Sequence, residues 1–404
     1  MSTHPSKPGS AEPLLRKSLP IGLTMLALTT AAFFRVPLLP EIADDLSMSA
    51  ADLGALTTVF ALGRLITDIP AGRMADKIRA SKMMVRSAML VGLASFLFAV
   101  APGALVAFVA SFLLGLGSAL TNTTGLTHFS SATSHARRGA SVSIFAAGLL
   151  VGQAIGPTMG GLISSLAGWR VALATAGALA VGVSVGLMVR GRRPAESNPA
   201  PAQVPVPPGG PAIPARYLGL LYLVPFAMFA SLGALTQTLI PIIGDDELRL
   251  SSGIIGLALG LGGVARLVGS IVGGQVSDRV SRKSALVPGL IGQAIGVALL
   301  AVASSTATWL AAIVVMGVSS LGIGVAATIM ADFSLGTSVG RRLGPFRFAG
   351  DLGLVISPVV IARVFESYGT AAAVLPLAGL LAATGLAVAF FLPETRWFGQ
   401  QRQA

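Results

Sequence analysis

Apolar residues in this chain do not alternate with polar ones at the period of an amphipathic helix or strand. They run on in long blocks separated by short polar turns. A hydrocarbon core about 30 Å thick needs roughly 20 apolar residues per crossing helix. Blocks of that kind fall at 19–43, 51–75, 83–101, 104–130, 140–163, 169–190, 215–243, 252–276, 284–305, 307–335, 342–366 and 369–392. The pattern predicts an all-α polytopic membrane protein with twelve transmembrane helices. The first block follows a polar tail and ends at Glu41, Asp44 and Asp45. It is longer than a signal-peptide core and carries no small-residue cleavage pattern, so it is expected to be a retained helix.

The polar turns sort by charge. Lys and Arg collect in alternate segments: Arg16 and Lys17; Arg73, Lys77, Arg79, Lys82 and Arg86; Arg137 and Arg138; Arg190, Arg192 and Arg193; Arg279, Arg282 and Lys283; Arg341 and Arg342. The intervening turns hold only Arg170 and Arg249, with the acids Glu41, Asp44, Asp45, Asp52, Asp245, Asp246 and Glu247. Cytoplasmic loops are the basic ones, so both termini are expected in the cytoplasm, which requires an even number of spans. Trp169, Trp309 and Trp397 fall at span ends, where interfacial tryptophan belongs.

Composition agrees. Of 404 residues, 53% are hydrophobic and 11% charged, against about 25% charged in a soluble domain. Lipid is therefore the expected partner. The net charge of +12 is spread over loops and is not read as a nucleic-acid surface. With no cysteine, disulfides and thiolate metal sites are excluded.

Residues 191–214 hold eight prolines and no long apolar run, and read as an extended linker. It divides the chain into a tail (1–18), a six-helix bundle (19–190), the linker, a second six-helix bundle (215–392) and a second tail (393–404). The bundles repeat at an offset of about 202 residues. Gly72-Arg73-Met74-Ala75-Asp76-Lys77 follows span 2, and Gly274-Gln275-Val276-Ser277-Asp278-Arg279 follows span 8. Arg64 matches Arg266, and Pro40…Asp44-Asp45 matches Pro241…Asp245-Asp246, shifted by one.

Over nearly its whole length the chain resembles the major facilitator superfamily. Gly72, Asp76 and Lys77, and more completely Gly274, Asp278, Arg279, Arg282 and Lys283, fit its signature G-x-x-x-D-[RK]-x-G-[RK]-[RK]. Gly152, Gly156, Pro157, Gly160 and Gly161 fit the G-x-x-x-G-P-x-x-G-G motif of its proton-linked drug exporters. Ser111, ahead of Gly115-Leu116-Gly117, stands where those exporters carry a base. The resemblance implies two pseudo-symmetric bundles (the major facilitator fold), a monomer in a bacterial inner membrane, and alternating access. It also implies a small-molecule substrate, a proton gradient for energy and no cofactor. It further implies that Asp76 braces the start of span 11 and Asp278 the start of span 5, as a gating latch at the basic end. Pro157 removes a backbone donor and bends span 5, and its glycines permit close packing. That segment would seal the central cavity or serve as a packing kink.

Ionisable residues inside the membrane are costly and are functional candidates by default. Here they are Arg35, Arg64, Asp68, Arg266 and Asp351. Arg64 and Asp68, four apart, share a face and can form a structural ion pair. Arg266 lacks that neighbour and is expected to pair with Asp351, where a proton would break the pair. Asp332 is expected at the basic-end latch. Arg35 would attract a carboxylate or phosphate bidentately, or reach outward to Glu41 and Asp45. Asn122, Gln153 and Gln237 lie at cavity depth, as cavity groups or interhelical clasps.

No G-x-x-x-x-G-K-[ST] loop is present, which excludes direct ATP drive through that motif. The three histidines are not grouped with acids, so neither a zinc enzyme nor a nucleophile constellation is read. The sequence thus points to transport: export of an amphiphilic drug or metabolite, or alternatively uptake or exchange of an organic anion through the arginines. A non-transporting receptor is the bland alternative.

Overall fold

The computed structural model describes residues 12–77, 80–131, 138–190, 215–322, 324–332 and 339–395. No strand occurs among them. The elements are α1 (Glu12–Phe33), a 3-10 turn (Val36–Leu38), α2 (Leu39–Leu46), α3 (Ala50–Lys77), α4 (Ala80–Ala99), α5 (Ala104–Ser131), α6 (Arg138–Ala167) and α7 (Trp169–Arg190). There follow α8 (Ala215–Ser231), a π-helical stretch (Leu232–Leu239), α9 (Ile240–Asp246), α10 (Ser252–Arg279), α11 (Arg282–Leu300), α12 (Thr306–Val318), a 3-10 turn (Ser320–Gly322), α13 (Val325–Asp332) and α14 (Val339–Phe391).

Eleven stretches are long and apolar enough to cross a bilayer. The last, Gly344–Phe391, has 48 residues, about 72 Å at 1.5 Å per residue and so more than twice a hydrocarbon core. It is two crossings joined at Gly369, whose backbone (φ 78°, ψ 179°) is not helical. The described residues therefore make twelve crossings, and an even number returns the chain to the side from which it started. The linker at 191–214 lies outside the described residues, as does Trp397.

Short polar turns set the helix ends. Before α3, Ser49 N donates to Asp52 Oδ2 (2.9 Å) and Asp52 N donates to Ser49 Oγ (3.2 Å), a reciprocal cap. Ser305 and Thr308 cap α12 in the same way. Gly168 (φ 86°) turns the chain between α6 and α7. The start of α11 is capped from a distance: Glu394 accepts from Arg282 N (3.1 Å) and Lys283 N (3.3 Å), placing a carboxylate at a helix N-terminus.

Within the first half α1 packs on α6, α3 on α5, and α4 on α5 and α7. Within the second, α8 and α11 pack on α14, and α12 on α10 and α11. The halves meet along two seams, α6 against α10 and α3 against α14. Ser111, in place of a base, donates to Leu56 O (2.9 Å) and ties α5 to α3. Trp169 stacks under Arg170 at its span end. Trp309 also sits at a span end but is fully buried against Gly244 rather than facing lipid.

Candidate functional site

Spans 1 and 7 are both irregular at the same level, and proline is the cause. Pro37 and Pro40 have no N–H to continue α1, so the chain tightens into the 3-10 turn. In span 7, Pro241 cannot donate to the carbonyl four residues back, that of Gln237. Thr57 Oγ1 donates to that carbonyl instead (3.3 Å). Thr238 Oγ1 donates to Gly233 O (3.0 Å) and lies 3.1 Å from Thr57 Oγ1, while Ile240 N bonds to Leu235 O. The result is a π stretch, a form often found at functional sites. Interrupted helices in matching positions of two repeats are where transporters place their sites.

Arg35 stands in the first interruption. It is 1% exposed. Its Nη2 donates to Gln237 Oε1 (3.2 Å), and its guanidinium lies 4.3 Å from the centre of the Phe60 ring. Its Nε and Nη1 are buried without a partner. The contact joins span 1 to span 7 and so crosses between the halves. The outward alternative for Arg35 is not realised: Glu41 accepts from Ser164 Oγ (2.5 Å), and Asp45 pairs with Arg170 (2.7 Å).

Arg266 donates through Nη2 to Thr236 Oγ1 (3.2 Å), and its Nε is buried without a partner. The expected pair with Asp351 is not formed. Arg266 is on α10, which packs on α6 and α12, whereas Asp351 is on α14, which packs on α3, α8 and α11. Asp351 is 7% exposed, between Gly350 and Gly353, which pack on Phe229 and Phe226 of α8. Arg64 reaches Ser118 Oγ (3.4 Å) with Nη1 and leaves Nε buried without a partner. The side chain of Asp68 lies outside the described residues. Asn122, on α5, is half-buried and does not line the cavity described next.

Arg266, Gln153, Thr236 and Gln237 face a common cavity of about 30 Å³, also lined by Pro157, Phe33 and other apolar side chains. That space suits a water or one small charged group rather than a whole drug-sized molecule.

The glycine motif of span 5 is built for two neighbours. A Cβ on Gly152 or Gly156 would meet Thr29 or Thr30 and Phe33 of α1, and one on Gly160 would overlap Phe34 O. Gly161 turns the other way, where a Cβ would overlap Ser252 O of α10, and Gly256 lies against Pro157 O. Thr158 Oγ1 donates across this seam to Gly256 O (3.3 Å). At the other seam Thr58 Oγ1 donates to Val355 O (2.7 Å), and Ala51 N, in the first turn of α3, donates to Glu366 Oε2 (3.2 Å).

All these cross-half contacts lie at the acidic end. Toward the basic end of α10, Gly274 has nothing within 4 Å of a would-be Cβ, and Asp278 is 75% exposed, paired with Arg282 of its own turn (2.8 Å). The side chains at the start of span 5, which Asp278 is expected to brace, lie outside the described residues. Arg279 is exposed, and Lys283 Nζ donates to Ala389 O (2.7 Å) of the last span. The side chains of Gly72, Asp76, Lys77 and Asp332 lie outside the described residues. A carboxylate at a helix start of the opposite half does occur, but at the acidic end, through Glu366.

The sequence reading did not single out Phe60, Thr57, Thr236, Thr238 or Glu366. The prolines at 37, 40 and 241 mark the interruptions that bring most of these residues together.

The profile of the Major Facilitator Superfamily matches residues 21–246 and 221–397. The class C tetracycline resistance protein of Escherichia coli is 25% identical over 299 residues, covering 72% of this chain and 74% of that protein. The enterobactin exporter EntS of Escherichia coli is 33% identical over 152 residues, 37% of this chain and 36% of that one. The probable sulfoacetate transporter SauU of Cupriavidus necator is 29% identical over 143 residues, 35% and 33% of the two chains. The chain thus spans about a third of each of the latter two. Among solved structures, a bacterial homologue of the human lysosomal transporter Spinster, inward-facing and unoccupied, superposes with TM-score 0.69 at 14% identity over 98% of both chains, a likeness of fold.

Proposed function

The chain belongs to the Major Facilitator Superfamily, and from that premise we propose that this membrane transporter exports amphiphilic drugs or metabolites by alternating access, driven by a proton gradient. One observation carries the reading. Every described hydrogen bond between the halves lies at the acidic end, while Asp278 at the basic end is exposed and paired within its own half. Contact confined to one end supports one of the two states that rocking about a central site requires. By the distribution of Lys and Arg, the basic end would be cytoplasmic, so this state would load substrate from inside. The relatives support the direction: one is named an exporter, of enterobactin, and another for tetracycline resistance.

Asp351 is the proposed proton carrier. It is the one buried carboxylate among the described residues, and taking up a proton removes a charge that the membrane interior disfavours. The test uses inverted vesicles with an imposed pH gradient and a panel that includes tetracycline and enterobactin. Gradient-dependent accumulation by the wild type, lost in Asp351→Asn, is expected. Exchange of an anion without any gradient would refute proton-driven export, and unchanged pH dependence in Asp351→Asn would refute the carrier.

A further inference from the structure

We propose that the cavity beside Arg266 seats an oxyanion, a carboxylate or sulfonate, carried by the transported molecule, so that the substrates are amphiphilic organic anions. The inference deepens the export reading and rests on it.

The charges come first. Arg35, Arg64 and Arg266 each present a guanidinium, a group that only donates hydrogen bonds. Among the described residues, none of the three has a carboxylate in ion-pair contact. Each has at least one N–H buried with no acceptor. A guanidinium so placed is stabilised by an anion and repels a cation.

The geometry of Gln237 gives the site its polarity. Arg35 can only donate, so the carboxamide oxygen of Gln237 must face it, as it does at 3.2 Å. That leaves the NH2 group of the same carboxamide for the cavity, which Gln237 also lines. Arg266 adds a donor-only group, and Gln153 and Thr236 can each donate as well. Among the described residues, no acid lines the cavity. Arg35 thus acts behind Gln237 as a positioning residue, and Arg266 is the direct ligand.

The volume completes the case. A space of about 30 Å³ takes a charged head but not the rest of an amphiphile. Phe33, Val36, Leu259 and Met316 also line it, a surface suited to the first carbons of an apolar tail.

The experiment uses full-length protein in phosphatidylcholine nanodiscs and two probes with the same tail and opposite charge, 4-phenylbutyrate and 4-phenylbutylamine. Thermal stabilisation by the carboxylate and not by the amine is expected. Arg266→Gln should raise the half-saturating carboxylate concentration about tenfold or more, the loss of one charged hydrogen bond. Arg266→Lys should give a smaller rise, and the exposed Arg249→Gln none. Equal response to the two probes would overturn the proposal, and this is readable on the wild type even if Arg266→Gln does not fold. An unchanged carboxylate response in a folded Arg266→Gln would overturn it as well. In phosphatidylglycerol nanodiscs, loss of the wild-type carboxylate response would assign the site to a lipid headgroup and overturn the substrate assignment, while persistence supports it. Carboxylate binding without gradient-driven export would refute the export reading and leave this one standing. Gradient-driven export of the amine alone would do the reverse.

Discussion

Gly161→Ala tests whether the α6–α10 seam governs access from the acidic side. A Cβ at this position would overlap Ser252 O and crowd Gly256, so backbone must shift for the seam to close. Overpacking of this kind costs about 1–3 kcal/mol. The penalty applies only while α6 and α10 touch. At about 1.4 kcal/mol per factor of ten, the state closed at the acidic end loses roughly 5- to 150-fold in population relative to the state open there. The chain has no cysteine, so Leu259→Cys, at a cavity position 3% exposed, provides a single reporter. A membrane-impermeant thiol reagent added from the acidic-end face should label it faster in the Gly161→Ala background by a factor within that range. Gly182→Ala is the control, since a Cβ there meets nothing within 4 Å. Equal labelling rates in the two backgrounds would refute the claim that this contact holds the acidic end shut.

Gln237→Glu should place a carboxylate against Arg35 and turn a neutral acceptor into a charged one, adding about 1 kcal/mol to this contact between the halves. A higher Tm with slower turnover in proteoliposomes is expected, and a lower Tm would contradict it. Gly369→Ala should cost about 1–3 kcal/mol, because the φ and ψ at this joint are open essentially to glycine alone. Thermal melts should separate it from Gly379→Ala, which adds a Cβ to open space within a helix.

Much of the fold was legible because lipid imposes it. Block length and the acidic and basic turns follow from solvation by a bilayer, and the twelve crossings are there. Less legible was how helices break. Span 1 reads as one run from 19 to 43, yet Pro37 and Pro40 divide it. The candidate residues were recognisable one at a time and not in pairs. Arg35 and Gln237 each stand out as polar groups in apolar spans, but their contact depends on how spans 1 and 7, in different halves, come together. Phe60 carries no mark that separates it from any other core aromatic. The pairing of Arg266 with Asp351 failed because complementary charge says nothing about which helices are neighbours, and α10 turns to α6 and α12.

The bond from Arg35 to Gln237 joins span 1 to span 7 across the two halves. A swing that separates the halves at this level has to break it. A guanidinium stripped of its acceptor in the membrane interior is costly, so the same bond that holds the halves together sets an electrostatic threshold for their separation, which water or a bound anion can lower.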